Sequence, residues 1–506
     1  MNAFSYRVFL APEGESRQGS KGMGGKRLDA RIEYDSFGPI QIPANSYWGA
    51  QTARARDELF TCGWKFHPKL VESIVLVKKA AALVNGELGR LDSRLAEAIV
   101  QACDEVLSGQ LRDQFIAEPF QSGSGLALNI NVNEVLANRA EEILGGTAGE
   151  YKLVDPHRHL NLSQSSNDVF ITAMRLAVIT SLKEFEPALL DLERLLRRKA
   201  LEFAKIVKVG RSHLRDSVPI TLGQEFNAFG STVERSYKNL KEASNSLFEL
   251  NIGGTQIGTG WDAHPSYQTR MVEKVTSLTK FRLKAGEDLL RMSQSMSDFV
   301  QVSSALRQLA IELGKIANDL RLLNSGPQGG LAEIKMPPVL FSPSPLLSEA
   351  LPEEVQPLLA ESLNMVCFQI IGMDLSIAFA AQAGQLETNP MAAGILHNLL
   401  QALDLLRQSI LAFNQKCLAG ISADNERCQH LLTLSGALLA AVSEQIGLND
   451  ARALFKMHDD NPERLRQALL EGNILSPPVI EKIFNHTYFT TASIRPKVDE
   501  AMQSAS

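Results

Sequence analysis

Cysteine and long apolar runs are both scarce in this chain of 506 residues. The five cysteines stand apart, with no Cys-x-x-Cys pair and no histidine at metal-ligand spacing; they are Cys62, Cys103, Cys367, Cys417 and Cys428. This scatter argues against a structural zinc site and predicts a reducing, cytoplasmic setting. No stretch reaches the roughly 18 continuous apolar residues that a membrane span needs, so no membrane partner is expected.

The chain also has no large excess of positive or negative charge. The formal net charge is -6 and no block of like charge stands out, so the composition gives no reason to expect nucleic acid as a partner. Residues 1–30 lack the apolar segment of a signal peptide and are predicted to form a mobile tail. The length exceeds the size at which a single core stops growing, which predicts more than one structural region.

Three long stripes of apolar residues step along the chain by three or four positions. Such stripes place apolar groups on one face of helices of about 25 residues and predict a mainly α-helical protein built on a long-helix bundle. The stripes consist of Ile171, Met174, Val178, Leu182, Phe185, Leu189 and Leu192; of Leu306, Leu309, Leu313, Ile316, Leu320 and Leu323; and of Ile395, Leu399, Leu403, Leu406, Ile410, Phe413 and Cys417.

The stripes and the breaks between them divide the chain into predicted domains. Shorter helical runs and loops fill an N-terminal domain over residues 31–164. The long stripes fall in a central bundle domain over residues 165–421, and shorter segments form a small C-terminal domain over residues 422–506. A Gly-rich loop, residues 251–265, lacks the preceding strand and following lysine of a phosphate-binding P-loop, so a packed turn is favoured there.

Asparagine recurs in the helix-like stretch QSGSGLALNINVNEVLANRA, at Asn129, Asn131, Asn133 and Asn138. Asparagine is a poor helix former, and buried amides must be hydrogen-bonded. We therefore expect most of these side chains to tie neighbouring elements together.

A second polar segment, HLNLSQSSNDVFITA, precedes the first long stripe. Ser165, Ser166, Asn167 and Asp168 are residues that cap helices. Small hydroxyls and free amides at a helix N-terminus also make a site for a carboxylate or phosphate. The spacing alone supports both interpretations equally.

The third polar segment, GRSHLRDSVPITLGQE, brings Ser212, His213 and Asp216 close together. Their nearness in sequence does not make a hydrolase triad, which is defined by geometry, and no Gly-x-Ser-x-Gly motif supports one. The histidine is either a general base near neutral pH or an ordinary loop residue, and alone it favours the second.

Taken in order, these segments resemble the aspartase and fumarase superfamily from about Arg31 onward. The similar segments are RIEYDSFGPIQIPANSYWGAQTARA, SGSGLALNINVNEVLANRA, LNLSQSSNDVFITAMRLA, GRSHLRDSVPITLGQEF, GGTQIGTGWDAHP, NDLRLLNSGPQGGLAEI and VCFQIIGMDLSIAFAAQAGQLETN. Segments such as VKKAAALVNGEL and VCFQIIG resemble the sequences of aspartate ammonia-lyases more than those of class II fumarases.

The resemblance implies a homotetramer whose active sites are each built by three protomers. It also implies elimination from a small dicarboxylate or amino-acid substrate without metal or organic cofactor, in which a loop serine removes a proton next to a carboxylate. The resulting dianion needs hydrogen-bond donors where its charge develops. The positions that match these donors are Ser165, Ser166, Asn167, Ser212 and His213, with Asn129 a further predicted substrate-binding residue and His213 predicted as catalytic.

The chain departs from the family in the segment FSPSPLLSEALPEEVQP, which falls on the mobile active-site loop. In this register Ser348 stands in the place of the catalytic base, Glu354 replaces the substrate-binding lysine, and Gln356 replaces an asparagine. A lysine about 4 Å from a carboxylate is worth roughly 4 kcal/mol near a protein surface, and a glutamate reverses the sign.

At three further positions an apolar residue stands where the family has a polar or cationic one. Leu126 and Ala127 replace hydroxyl residues of the first region, and Leu162 stands where a lysine usually precedes the Ser-Ser-Asn-Asp run. Two main hypotheses follow: a lyase with a changed, aspartate-like substrate, or a catalytically silent homologue that serves as a tetrameric scaffold or partner protein. Ordinary aspartase or class II fumarase-like hydratase activity is a further alternative.

Overall fold

The N-terminal part of the chain combines a short hairpin with four helices. The computed structural model describes residues 30–121, 123–338, 357–435, 437–458 and 461–484, so the predicted tail lies outside the described residues except for Ala30. Strands β1 (Ala30–Asp35) and β2 (Gly38–Pro43) pair antiparallel, with Ala30 opposite Pro43. The helices are α1 (Ala50–Glu58), α2 (Pro68–Glu87), α3 (Ser93–Leu107) and α4 (Leu126–Ile143).

Side-chain caps fix where two of these helices begin. The imidazole of His67 accepts a hydrogen bond from the N–H of Lys69, with proline at the first position of α2. The carboxylate of Asp92 accepts from the N–H groups of Arg94 and Leu95 at the start of α3. Each cap satisfies donors that have no partner inside the helix.

Five long helices form the central bundle. They are α5 (Ser166–Glu202), α6 (Leu222–Ala243), α9 (Ser297–Leu323), α10 (Leu358–Gln382) and α11 (Ala392–Lys416). Around the bundle α5 packs on α6, α6 on α9, α9 on α10, α10 on α11, and α11 returns to α5. The chain is therefore mainly α-helical and built on long helices, as the apolar stripes predict.

The predicted stripes lie in α5, α9 and the segment from α11 to Cys417, and they point into the core. Every residue of the three stripes is buried except Leu182, which is half-buried. One hydrophobic cluster extends from Ile42 to Ile421 and so includes both the predicted N-terminal and central domains. A separate cluster lies between Leu438 and Ile483. The predicted domain limits stay predictions.

Shorter elements connect and extend the bundle. Strands β3 (Val207–Ser212) and β4 (Arg215–Thr221) form a hairpin between α5 and α6; the other strands are β5 (Glu249–Leu250), β6 (Lys284–Ala285), β7 (Ile334–Lys335) and β8 (Ser422–Ala423). The remaining helices are α7 (Tyr267–Thr279), α8 (Leu289–Gln294), α12 (Asn425–Leu434), α13 (Ala437–Ile446), α14 (Leu448–Met457), α15 (Pro462–Glu471) and α16 (Pro477–Phe484).

Helix α10 has an apolar face on each side. One face is buried against α9 and α11, whereas Met365, Phe368, Leu375 and Phe379 are 57–70% exposed on the other. Among the described helices it is the one whose length and composition would allow a membrane crossing. With Ile371, which is 36% exposed, these positions follow one another by three or four residues, the spacing of a helix face that packs against another helix.

Candidate active site

A capping box fixes the N-terminus of α5. The hydroxyl of Ser165 accepts a hydrogen bond from the N–H of Asn167 at 3.3 Å, and the carboxylate of Asp168 accepts from the N–H of Ser165 at 2.8 Å. The capping interpretation of this segment is therefore confirmed. It does not exclude the anion-site interpretation, because the N–H of Ser166 is not part of the box.

The buried carboxylate of Asp168 joins this helix end to the Gly-rich loop. Besides Ser165, it accepts hydrogen bonds from the N–H groups of Gly253 at 3.0 Å and Thr255 at 3.1 Å. The side-chain amide of Asn167 donates to the carbonyl of Gln256 in the same loop at 2.7 Å. The loop is thus a packed turn held by side chains from α5.

A buried lysine also holds the segment that leads into α5. Lys78 of α2 is 1% exposed, and its Nζ donates to Oδ1 of Asn161 at 3.0 Å and to the carbonyl of Leu160 at 3.4 Å. The amide of Asn129 also donates to Oδ1 of Asn161, at 3.3 Å. Asn129 therefore lies beside the turn that leads into Ser165, the place where the sequence predicts substrate binding.

The two buried charges shift each other's titration. Burial raises the pKa of Asp168 to about 6, although the three N–H donors and the positive charge of Lys78 oppose that rise. Burial lowers the pKa of Lys78 to about 7, opposed by the negative charge of Asp168. Removing either charge would therefore favour the neutral form of the other.

The exposed end of α5 has the features of an anion site. Ser165, Ser166 and Asn167 are half-buried at the helix N-terminus, where the helix dipole favours negative charge. The N–H of Val169 is already bonded to the carbonyl of Ser165, and the cap uses the N–H groups of Asn167 and Asp168 before it. None of the described residues accepts a hydrogen bond from the N–H of Ser166, so this donor could bind a carboxylate oxygen of a ligand.

The second predicted group, Ser212 and His213, lies at the tip of the β3–β4 hairpin. Ser212 pairs with Arg215, so His213 and Leu214 form the two-residue turn, and both have positive φ (56° and 60°). Such turns favour Asn-Gly, and each non-glycine residue there costs about 1–2 kcal/mol. The side chains of Ser212 and His213 are exposed, so the strained turn presents the imidazole outward.

Ion pairs hold the base of this hairpin. The Nζ of Lys208, 2% exposed, lies 2.8 Å from carboxylate oxygens of both Glu225 and Glu333. Arg211 binds the fully buried Glu333 with two hydrogen bonds of 2.9 and 3.0 Å. The hairpin is thus tied to the start of α6 and to the segment before β7, which fixes the position of the strand that leads to the His213 turn.

The two groups of predicted site residues lie at opposite ends of α5. The helix has 37 residues, and at 1.5 Å per residue it is about 55 Å long. Ser165, Ser166 and Asn167 stand at its beginning, whereas the hairpin with His213 starts five residues after its end. One chain therefore brings Asn129 close to the first group but does not bring the two groups together.

The predicted loop residues Ser348, Glu354 and Gln356 lie outside the described residues, and their roles stay predictions. Within the described ranges, no three His, Cys, Asp or Glu side chains cluster in a way that would hold a metal ion.

Comparison with known proteins decides the family. The profile of a lyase family matches residues 38–372. The aspartate ammonia-lyase of Bacillus subtilis is 37% identical over 467 residues, which cover 92% of this chain and 97% of that protein. That of Helicobacter pylori is 38% identical over 456 residues, covering 90% and 96%. The chain belongs to the aspartase and fumarase lyase superfamily.

Solved structures of this superfamily have the same fold. A fumarate lyase:delta crystallin from Brucella melitensis, solved bound to cobalt, superposes with a TM-score of 0.86 at 37% identity, covering 91% of this chain and 99% of that one. The class II fumarase of Schistosoma mansoni superposes with a TM-score of 0.83 at 32% identity, covering 90% and 100%.

Within this lyase, the asparagines of α4 divide by role. Oδ1 of Asn131 accepts from the N–H groups of Ile116 and Ala117, and Asn138 donates to the carbonyl of Tyr47 while accepting from the N–H of Gly149. These two amides tie elements together, as expected. Asn129 and Asn133 differ because the Oδ1 of each is buried without a hydrogen-bond partner among the described residues.

Sequence reasoning missed the buried frame of the site, namely Lys78, Asn161 and the clamp role of Asp168. One signal was available for Lys78: it follows Ile74 by four positions and precedes Ala81 by three, so a cation stands within an apolar helix face. A charge at such a position must find partners inside the protein.

Asp168→Ala is expected to lower the free energy of unfolding of this lyase by about 3 kcal/mol or more. The change leaves three N–H donors without their carboxylate, and each unsatisfied buried donor costs about 1–3 kcal/mol. Urea unfolding at fixed protein concentration measures the difference. The exposed Asp450→Ala serves as the control and should change stability little; a similar value for both variants would contradict the clamp.

Lys78→Met is expected to lose stability, relative to the wild type, increasingly as the pH rises from 7 to 9. Folded Lys78 releases its proton near pH 7, whereas an unfolded lysine does so at about 10.4, so in this range the unfolded wild type binds more protons and its free energy of unfolding rises with pH. Methionine has no such dependence. Urea unfolding at pH 7, 8 and 9 tests this; a difference that is independent of pH would show that Lys78 titrates normally.

Proposed function

We propose that this protein eliminates ammonia or an amine from aspartate or an aspartate-like succinyl substrate, without a cofactor, and that its substrate preference differs from that of ordinary aspartases. Ser348 would remove the proton next to a carboxylate, and His213 would act in the same site. The donors at the start of α5 would bind the carboxylate on which negative charge develops.

The observation that carries this proposal is the helix end built around Ser166. Its free N–H, the hydroxyls of Ser165 and Ser166 and the amide of Asn167 surround one helix N-terminus, which the Asp168 clamp holds in place. Positive potential and fixed donors at one point suit a carboxylate that gains charge in the transition state. A reducing cytoplasmic location fits the five free cysteines.

Self-association would complete the site. Because Ser166 begins α5, which is about 55 Å long, and His213 lies on the hairpin beyond its other end, the two would meet in one site if different protomers contributed them. The exposed apolar face of α10 supplies a contact surface for a second copy, since Met365, Phe368, Leu375 and Phe379 repeat at the spacing of interhelical packing. We propose a homotetramer assembled through this face.

The altered preference is supported by apolar groups beside the helix end. Gly125 packs so closely on Phe170 of α5 that a Cβ would come within 2.1 Å of the ring, which places the next residue, Leu126, next to the first turns of α5. Leu126 is 47% exposed, and Ala127 is buried. At the position of Leu126, the family's hydroxyl residue would bind a carboxylate. This chain has an exposed apolar side chain there instead.

A group of aromatic side chains forms a second apolar surface, which includes Phe120, six residues before Leu126. Trp64 stacks on His397 with ring centroids 5.1 Å apart, and Phe120 meets both rings edge-on at 5.6–5.7 Å. Trp64 and Phe120 are 52% and 43% exposed, so their outer surfaces are open to a ligand. Such a surface suits a substrate that carries an apolar group, including an aspartate substituted on its nitrogen.

We expect the protein to turn over an N-substituted aspartate that carries an apolar or aromatic group. Turnover of L-aspartate and L-malate is expected to be much slower. Ultraviolet absorbance of the unsaturated product measures it. Ser348→Ala should lower kcat by about a hundredfold or more, the effect of removing a positioned base. Leu126→Thr is the companion variant and should shift preference towards L-aspartate.

Two outcomes would contradict the proposal. Turnover of L-aspartate at ordinary aspartase rates would remove the altered preference, and full activity of Ser348→Ala would remove this serine as the base. Absence of turnover with every substrate, in a correctly assembled protein, would favour the silent scaffold.

Mixing two inactive variants is expected to restore activity. Ser166→Ala and His213→Ala should each lose most activity in a pure assembly, since each removes one of the groups that a site requires. When protomers are mixed by unfolding and refolding together, about one quarter of the sites obtain both intact groups if different protomers supply them. Initial rates before and after mixing measure the gain.

The control mixes each variant with itself, and the mass in solution is measured throughout. If the two groups came from the same protomer, mixing would restore no activity. A monomeric mass for the active protein would also contradict a shared site.

A further inference from the structure

A cavity lies between α5 and α6, well away from the helix end described above. Its volume is about 240 Å³. Its position along α5 begins at Ile179, 13 residues and about 20 Å from Ser166. It also lies on the side of the bundle across from α10, because the order of packing around the bundle is α5, α6, α9, α10, α11. Assembly through α10 therefore leaves this cavity accessible.

The floor of the cavity is apolar. Ile179, Phe185, Leu189 and Leu240 line it and are each less than 5% exposed, with Phe248 half-buried at one side. A cavity of about 150 Å³ with such a lining accepts benzene. This one therefore has room for an apolar group larger than a benzene ring.

Two lysines stand at the mouth. Lys183 and Lys241 line the cavity and are exposed, and neither forms an ion pair with a carboxylate of the described residues. Their ammonium groups lie near aromatic rings instead, Lys183 at 4.6 Å from the Phe281 centroid and Lys241 at 5.9 Å from that of Tyr237. Both charges remain available to an anion at the rim.

The carboxylate at the rim is already engaged. The hydroxyl of Tyr237 donates a short hydrogen bond to Glu186, and this bond, together with burial, raises the pKa of Tyr237 to about 12. The phenol therefore stays neutral near pH 7, and Glu186 remains bound to it. The cavity mouth then carries two cations against one carboxylate.

We propose that this cavity binds an amphipathic monocarboxylate, with its apolar tail on the floor and its carboxylate between Lys183 and Lys241. The floor excludes a dicarboxylate such as the substrate of the lyase site, since a second charge placed against Phe185 and Leu189 would lose its water without gaining a partner. The ligand of this cavity is thus chemically distinct from the substrate.

Calorimetric titration of the full-length assembled protein with octanoate tests the proposal, with succinate as the second probe. Octanoate should bind with one site per protomer, and succinate should not compete with it. The Lys183→Ala, Lys241→Ala double variant should bind octanoate about tenfold more weakly, because two exposed ion pairs together contribute about one factor of ten. Leu182→Trp, which fills the cavity from its wall, should abolish binding.

The matched control is the Lys65→Ala, Lys416→Ala double variant, which removes the same charge from exposed lysines that do not line the cavity. It should bind octanoate as the wild type does. The proposal is overturned if the wild type does not bind octanoate, or if the two double variants bind it equally. If Leu182→Trp proves unstable by thermal denaturation, the comparison of the two double variants decides alone.

Discussion

The burial of the Asp168 carboxylate is the constraint on which the candidate site depends. A carboxylate with no exposure to water is stable only if its oxygens are hydrogen-bonded, and here three backbone N–H groups supply those bonds. Two of them belong to the Gly-rich loop and one to the cap of α5. The need to satisfy one buried charge thus fixes the loop, the cap and the first turn of α5 relative to one another.

The length of α5 relates this local order to the proposed assembly. A helix of about 55 Å lies between the geometry fixed at Ser166 and the hairpin at its other end, where the ion pairs of Glu333 hold the strand that leads to His213. Under the proposed function, neither end has the groups for elimination by itself. The proposed chemistry would therefore need copies lying side by side, and the exposed apolar face of α10 offers a surface for such contact.

The sequence predicts the long helices well because their apolar stripes are a local, periodic property that packing reinforces. It also predicts the cap at Ser165, because capping needs only neighbouring residues. It does not predict that Lys78 and Asp168 are buried close enough to shift each other's pKa, since that depends on how α2 packs against α5. Nor does it predict the His213 turn, because the turn lacks the Asn-Gly that marks such hairpins.

The energetics of the buried frame bear on whether the protein is a lyase or a scaffold. Burying Lys78 and Asp168 disfavours their charged forms, and apolar groups of similar size often serve a fold equally well or better. A scaffold needs only the helix bundle, which the apolar stripes already supply. An anion site, in contrast, needs its helix end held rigidly, and the Asp168 clamp does this. Under the proposed function, Leu126 would touch the rest of the ligand, as expected of a site whose substrate preference has changed.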